Sequence, residues 1–131
     1  MKVQKAAVKQ VLAHFVEQMP YKPDWAAIVT HEGRLVEQWG TEVKAHRVVD
    51  FATAIEGLAD QVSLSVGNGN FRYSILGGGT GLFIMLALGD LYWLELSFKR
   101  LNSIDRALRA LRENVGPLLN VLYGDSVTPS Q

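Results

Sequence analysis

Between Val3 and Met19 the apolar residues Val8, Val11, Leu12, Phe15, Val16 and Met19 fall on one side of a helical wheel. Gln10, His14, Glu17 and Gln18 fall on the other. That spacing predicts an amphipathic helix, stopped by Pro20, with Pro23 stiffening the connector. The next six residues, Trp25-Ala26-Ala27-Ile28-Val29-Thr30, are mostly apolar at both parities, the pattern of a strand covered on both faces. Glu32-Gly33 signals a turn, and Arg34 to Trp39 returns as a second strand. Arg34, Glu37 and Gln38 give that strand the polar character of a sheet edge, and Gly40 ends the hairpin.

Thr41 is expected to cap a second helix, with Glu42 in its first turn, and the helix should run to about Leu64. Its apolar positions are Val48, Phe51, Ala52, Ala54, Ile55, Leu58, Ala59 and Val62. They spread over roughly 160° of the wheel, wider than the ~100° stripe that one sheet face requires. The surplus implies a second partner surface. After the loop Gly67-Asn68-Gly69-Asn70 come three strand signals in close order. Phe71, Tyr73 and Ile75 alternate with Arg72 and Ser74; Leu82 to Leu88 is a buried run; Leu91 to Phe98 carries Leu94, Leu96 and Phe98 on one face. Asn102 or Ser103 should cap a last helix with Asp105 in its first turn. Ile104, Leu108, Leu111, Val115, Leu118 and Leu122 line its apolar face, and Gly116-Pro117 should kink it. The element order is therefore α-β-β-α-β-β-β-α. It reads as one domain over residues 1–124 and a short loose tail at 125–131.

In this order, and in the residues of the first hairpin (Trp25 to Val36) and of the three-strand run (Phe71 to Phe98), the chain resembles the Roadblock family of dynein-light-chain-like domains. The resemblance extends from about residue 3 to 123. It implies an α/β chain of the α+β type, a Roadblock/profilin-like sandwich. Its five-stranded antiparallel sheet would carry the middle helix on one face and the terminal helices on the other. It also implies pairing of the third strand and the middle helix with their copies, or with a Roadblock paralogue, to make one continuous sheet. Many such domains are non-enzymatic adaptors that bind small Ras-like GTPases as regulators or scaffolds, gliding-motility relatives among them.

Composition narrows the function classes. The 131 residues are 48% hydrophobic and 20% charged, enough for one real core. Thirteen basic and thirteen acidic residues cancel, which lacks the positive excess that nucleic-acid binding needs. The absence of cysteine removes disulfides, thiolate metal sites and thiol nucleophiles, and fits a reducing, cytoplasmic setting. The longest apolar run, Leu82 to Leu88, is too short to span a membrane.

The candidate chemistry is sparse. Gly77-Gly78-Gly79-Thr80-Gly81 lacks the Lys and the following helix of a phosphate loop and reads as a hairpin turn. His14, His31 and His46 have no metal-ligand spacing and read as solvated. No cofactor or metal is expected. Glu95 is the one carboxylate in apolar company, on the side of Trp93 and Ser97; an ion pair with Arg72 or a rim position is the expectation. Arg106, Arg109 and Arg112 make a basic strip on the last helix, either solvated or a dock for an acidic protein patch. Phe71, Arg72, Tyr73 and Ile75 form an apolar edge strand with one charge to guard it, which a second subunit would close. The flank Val49, Ala52, Thr53, Glu56 and Ala59 of the middle helix would then meet its twin across a two-fold axis. A different class, a PAS- or profilin-like sensor holding a small molecule between sheet and helices, would use Tyr73, Phe83, Tyr92 and Trp93 to line a pocket.

Overall fold

A computed structural model describes residues 5–101 and 103–124. The tail expected at 125–131, and Asn102 as a cap, lie outside the described residues. The elements are α1 (Lys5–Glu17), β1 (Trp25–Thr30), β2 (Leu35–Gly40), α2 (Ala45–Ser65), β3 (Tyr73–Gly77), β4 (Leu82–Leu88), β5 (Tyr92–Phe98), α3 (Ile104–Asn114) and α4 (Gly116–Tyr123). The strands form one antiparallel sheet in the order β2-β1-β5-β4-β3.

Burial at both parities made β1 legible, and the reason is its place. It pairs with β2 on one side and β5 on the other, so Ala26 and Ile28 face one helix layer while Trp25, Ala27 and Val29 face the opposite one. One core joins α1, α3 and α4 to the sheet: Val8, Leu12, Phe15 and Val16 meet Ile84, Leu88, Leu94 and Leu96, with Leu111, Leu118 and Leu122 closing over them. The other core is smaller. There α2 contributes only Val48 and Ala52 as fully buried residues, against Trp25, Ala27, Val29, Met85 and Trp93. The layering implied by the Roadblock resemblance is therefore present, with helices on both faces.

Three expectations need correction. Thr41 does not cap α2: its N–H donates to the Asp24 carbonyl at 2.8 Å, and its own carbonyl accepts from the Gln38 side chain at 2.8 Å. These bonds keep the chain out of the helix until Ala45, with Lys44 at the cap. The last helix is not kinked but split. Pro117 lacks the N–H that would continue the ladder, so α3 ends at Asn114 and α4 begins at Gly116. Ile104 is exposed, while Ala107, Ala110 and Leu111 make the buried side of α3. Ser103 does cap α3, accepting the Arg106 N–H at 3.3 Å.

The third correction concerns Phe71. It precedes β3 and sits buried under α2, stacked 5.2 Å from Trp93, because the Asp60 carboxylate of α2 takes its N–H at 3.0 Å. Ile75, opposite Ile84, belongs to the other core. Phe71 and Ile75 thus lie on opposite faces of the sheet and not on one.

Candidate functional site

The β3 strand lies at the sheet margin, and its far edge carries no strand partner among the described residues. Tyr73 and Leu76 on it are large and exposed, Ile75 is half-buried, and Arg72 just ahead of it is exposed. Along the same margin α2 overhangs the sheet. Its second half leaves large apolar side chains open, with Leu58 at 67% and Val62 at 54% exposure. Between α2 and β3 runs an open groove of about 750 Å³, floored by Phe71 and Leu76 and walled by Ala54, Ile55, Leu58 and Val62. A second apolar hollow continues it past Leu76 to Phe51 and Phe83, whose rings meet edge to face at 6.0 Å. The excess apolar width read from α2 is thus open surface on the fold.

The flank expected to meet a twin is placed differently from that stripe. Ala52 is buried in the chain's own core, and Val49 and Ala59 are half-buried against it. Thr53 is exposed, its hydroxyl donating to the Val49 carbonyl one turn back at 3.1 Å. Glu56 is taken up within the chain, accepting the Trp93 indole N–H at 3.2 Å. The open stripe of α2 is Phe51, Leu58 and Val62, further round the helix. A wheel ranks positions by polarity but not by which half of a wide apolar arc a sheet will take, so the sequence could not choose between the two.

Two polar side chains sit differently from what their sequence setting predicts. His31 is more than solvated: its ring stacks on Trp93 at 4.6 Å, and its Nδ1 lies 3.5 Å from the Glu56 carboxylate. His31, Glu56 and Trp93 together tie the first hairpin to α2. Glu95 has no ion pair with Arg72, whose guanidinium instead reaches Asp90 at 3.7 Å and the Gly89 carbonyl at 3.5 Å. Nor does it lie at a rim. It is wholly buried at the centre of the sheet, between Ala27 and Met85, and neither carboxylate oxygen has a hydrogen-bond partner. Loss of solvent alone pushes its pKa up to about 8.

On the opposite face, Arg106, Arg109 and Arg112 are exposed as the helical spacing indicated. Arg106 stands 5.8 Å over the Tyr21 ring, and Arg112 borders a shallow hollow with Tyr73, Ile84 and Leu86. His14 and His46 are exposed on separate helices. The sensor alternative fares worse than the adaptor. Phe83, half-buried, lines an outward-opening hollow, Trp93 is packed into the core, and Tyr92 meets Tyr123 edge to face at 5.5 Å.

Five antiparallel strands in this order, one helix on one face and three on the other, define the Roadblock/LC7 fold. The Myxococcus xanthus protein MglB superposes with a TM-score of 0.81 at 11% identity, covering 100% of this chain and 98% of that one. An MglB solved in a tetrameric arrangement gives 0.75 at 11% identity, over 89% and 88% of the two chains. The Roadblock/LC7 domain from Streptomyces avermitilis gives 0.67 at 15%, over 85% and 96%. No family model matches the chain, and no curated protein matches its sequence. The likeness is one of fold, and it agrees with the resemblance read from the hairpin and the three-strand run.

Proposed function

We propose that this chain is a self-associating, non-enzymatic adaptor that binds a small Ras-like GTPase and regulates or scaffolds it. The observation that carries the reading is the continuous apolar surface of α2 and β3, left open on a Roadblock fold. A second copy laid antiparallel along β3 would close the strand edge and bring Leu58 and Val62 of each α2 against the partner helix. Val49, Thr53 and Glu56 would lie at the margin of that contact, and Ala52 beneath it. Tyr73, Ile75 and Arg72 would flank the strand junction. That an MglB has been solved as a tetramer supports self-association as a property of this fold. The GTPase partner rests on the resemblance to Roadblock domains and on the likeness to MglB. Arg106, Arg109 and Arg112 give such a partner a basic dock for an acidic patch.

The test is calorimetric titration with a purified Ras-like GTPase from the same organism, loaded with GDP or with a non-hydrolysable GTP analogue. Binding in one nucleotide state, weakened by Arg109→Glu and Arg112→Glu, is the expected result. Absence of binding in both states would overturn the GTPase assignment.

A further inference from the structure

We propose that α2 is held against the sheet only while the Glu95 carboxyl carries its proton, so that ionisation at this single position releases the helix. The argument begins with how little else fastens α2. Of its 21 residues only Val48 and Ala52 are fully buried, and its second half projects past the sheet with Leu58, Val62 and Leu64 exposed. Glu95 lies on the α2 side of the central strand β5, between Trp93 and Ser97 on its own strand. Its lateral neighbours are Ala27 of β1 and Met85 of β4, and the core on that face of the sheet includes Val48 and Ala52 of α2. Among the described residues no donor reaches either of its oxygens. A carboxyl in that setting is tolerated neutral; as an anion it has neither water nor a cation to replace water. The least costly relief is for the loosely attached layer to lift and admit solvent. The alternative, disrupting β5 between β1 and β4, would break two strand pairings.

The other titratable groups around this seam are few. On α2, Glu56 turns to Trp93 and His31, and Asp60 is engaged by the Phe71 N–H; His46, Arg47 and Asp50 are exposed. The residues of β1 and β4 beside Glu95 are uncharged. Protonation of Glu95 therefore docks α2, and its ionisation frees it. Docking itself does not depend on the function proposed above; its consequence, that self-association through α2 loosens with rising pH, rests on that reading.

Hydrogen exchange followed by mass spectrometry tests it, comparing peptides from α2 with peptides from α1 at pH 6 and pH 9 after division by intrinsic rates. In the unmodified chain α2 opening should rise on the order of a hundredfold relative to α1 and level off above about pH 8, since opening lets the carboxyl ionise and each unit between its free and its buried pKa is tenfold in the opening constant. In Glu95→Gln it should change by less than about twofold. Glu95→Leu, which needs no hydrogen-bond partner, gives the same expectation should the amide impair folding. Infrared absorption of the folded chain should show a neutral carboxyl band at pH 6 that titrates away and is absent from both variants. Equal exchange of α2 and α1 across the range, or the same pH response in Glu95→Leu as in the unmodified chain, would overturn the proposal. A chain that stays monomeric while α2 opens would sink the self-association reading and leave this one standing. A dimer with α2 protected at both pH values would do the reverse.

Discussion

Replacing Glu95 by Gln should abolish a specific slope in the stability curve. The unfolded carboxyl has a pKa of 4.5, and burial without a partner raises it to about 8 in the folded chain. Between those values the native state holds a proton that the unfolded state has released, so stability falls as pH rises. The contribution is fully present below 4.5, is lost progressively on the way to about 8, and is flat beyond. With one unit equivalent to 1.36 kcal/mol, the total is about 5 kcal/mol, of which about 3 is gone by pH 7. That is large beside a typical domain stability of roughly 5–15 kcal/mol. Urea unfolding at pH 5, 7 and 9 measures it. The difference between the unmodified chain and Glu95→Gln removes every other titrating group from the comparison. The Gln variant should gain on the parent by several kcal/mol between pH 5 and 9. If the two curves run parallel, Glu95 is solvated or paired in solution and the reasoning fails.

Other substitutions test other joints. Leu58→Ala removes three carbons from a side chain 67% exposed in the single chain. At ~0.8 kcal/mol per methylene, counted for both copies, dimerisation should weaken by about 3 kcal/mol, on the order of a hundredfold, with urea stability of the monomer nearly unchanged. Sedimentation equilibrium reads the dissociation constant. Gly89→Ala places a methyl group against the Tyr123 ring at a φ of +64°, where that tyrosine clamps the β4–β5 turn by donating to the Leu88 carbonyl and accepting from the Leu91 N–H. A loss of about 2 kcal/mol or more in thermal or urea unfolding is expected. Ser103→Ala removes the α3 cap and should cost about 1 kcal/mol.

What the sequence revealed and what it hid divide along physical lines. Strands β1, β4 and β5 were readable because sheet burial writes itself into parity: Leu94, Leu96 and Phe98 can only share a face. The width of the α2 apolar arc was readable for the same reason. Hidden were features decided by contacts across many residues. Thr41-Glu42 has the chemistry of a helix start, yet Asp24, brought alongside by the β1–β2 hairpin, holds Thr41 in place first. Phe71 looks like the start of an alternating strand, yet Asp60 and Trp93 turn it to the other face. Arg72 and Glu95 are the one cation and the one anion of the three-strand run's interior, but β4 stands between their strands and Arg72 turns out to Asp90. His31 offered no signal at all, since its partner Glu56 comes from a helix 25 residues further along.

The account turns on whether Leu58, Val62, Leu76 and the β3 edge are covered by a second copy. Sedimentation velocity at pH 6 and micromolar concentration measures this directly. A species of about 29 kDa, twice the 14.5 kDa chain, is the predicted result, and a single 14.5 kDa species across the whole concentration range would contradict it.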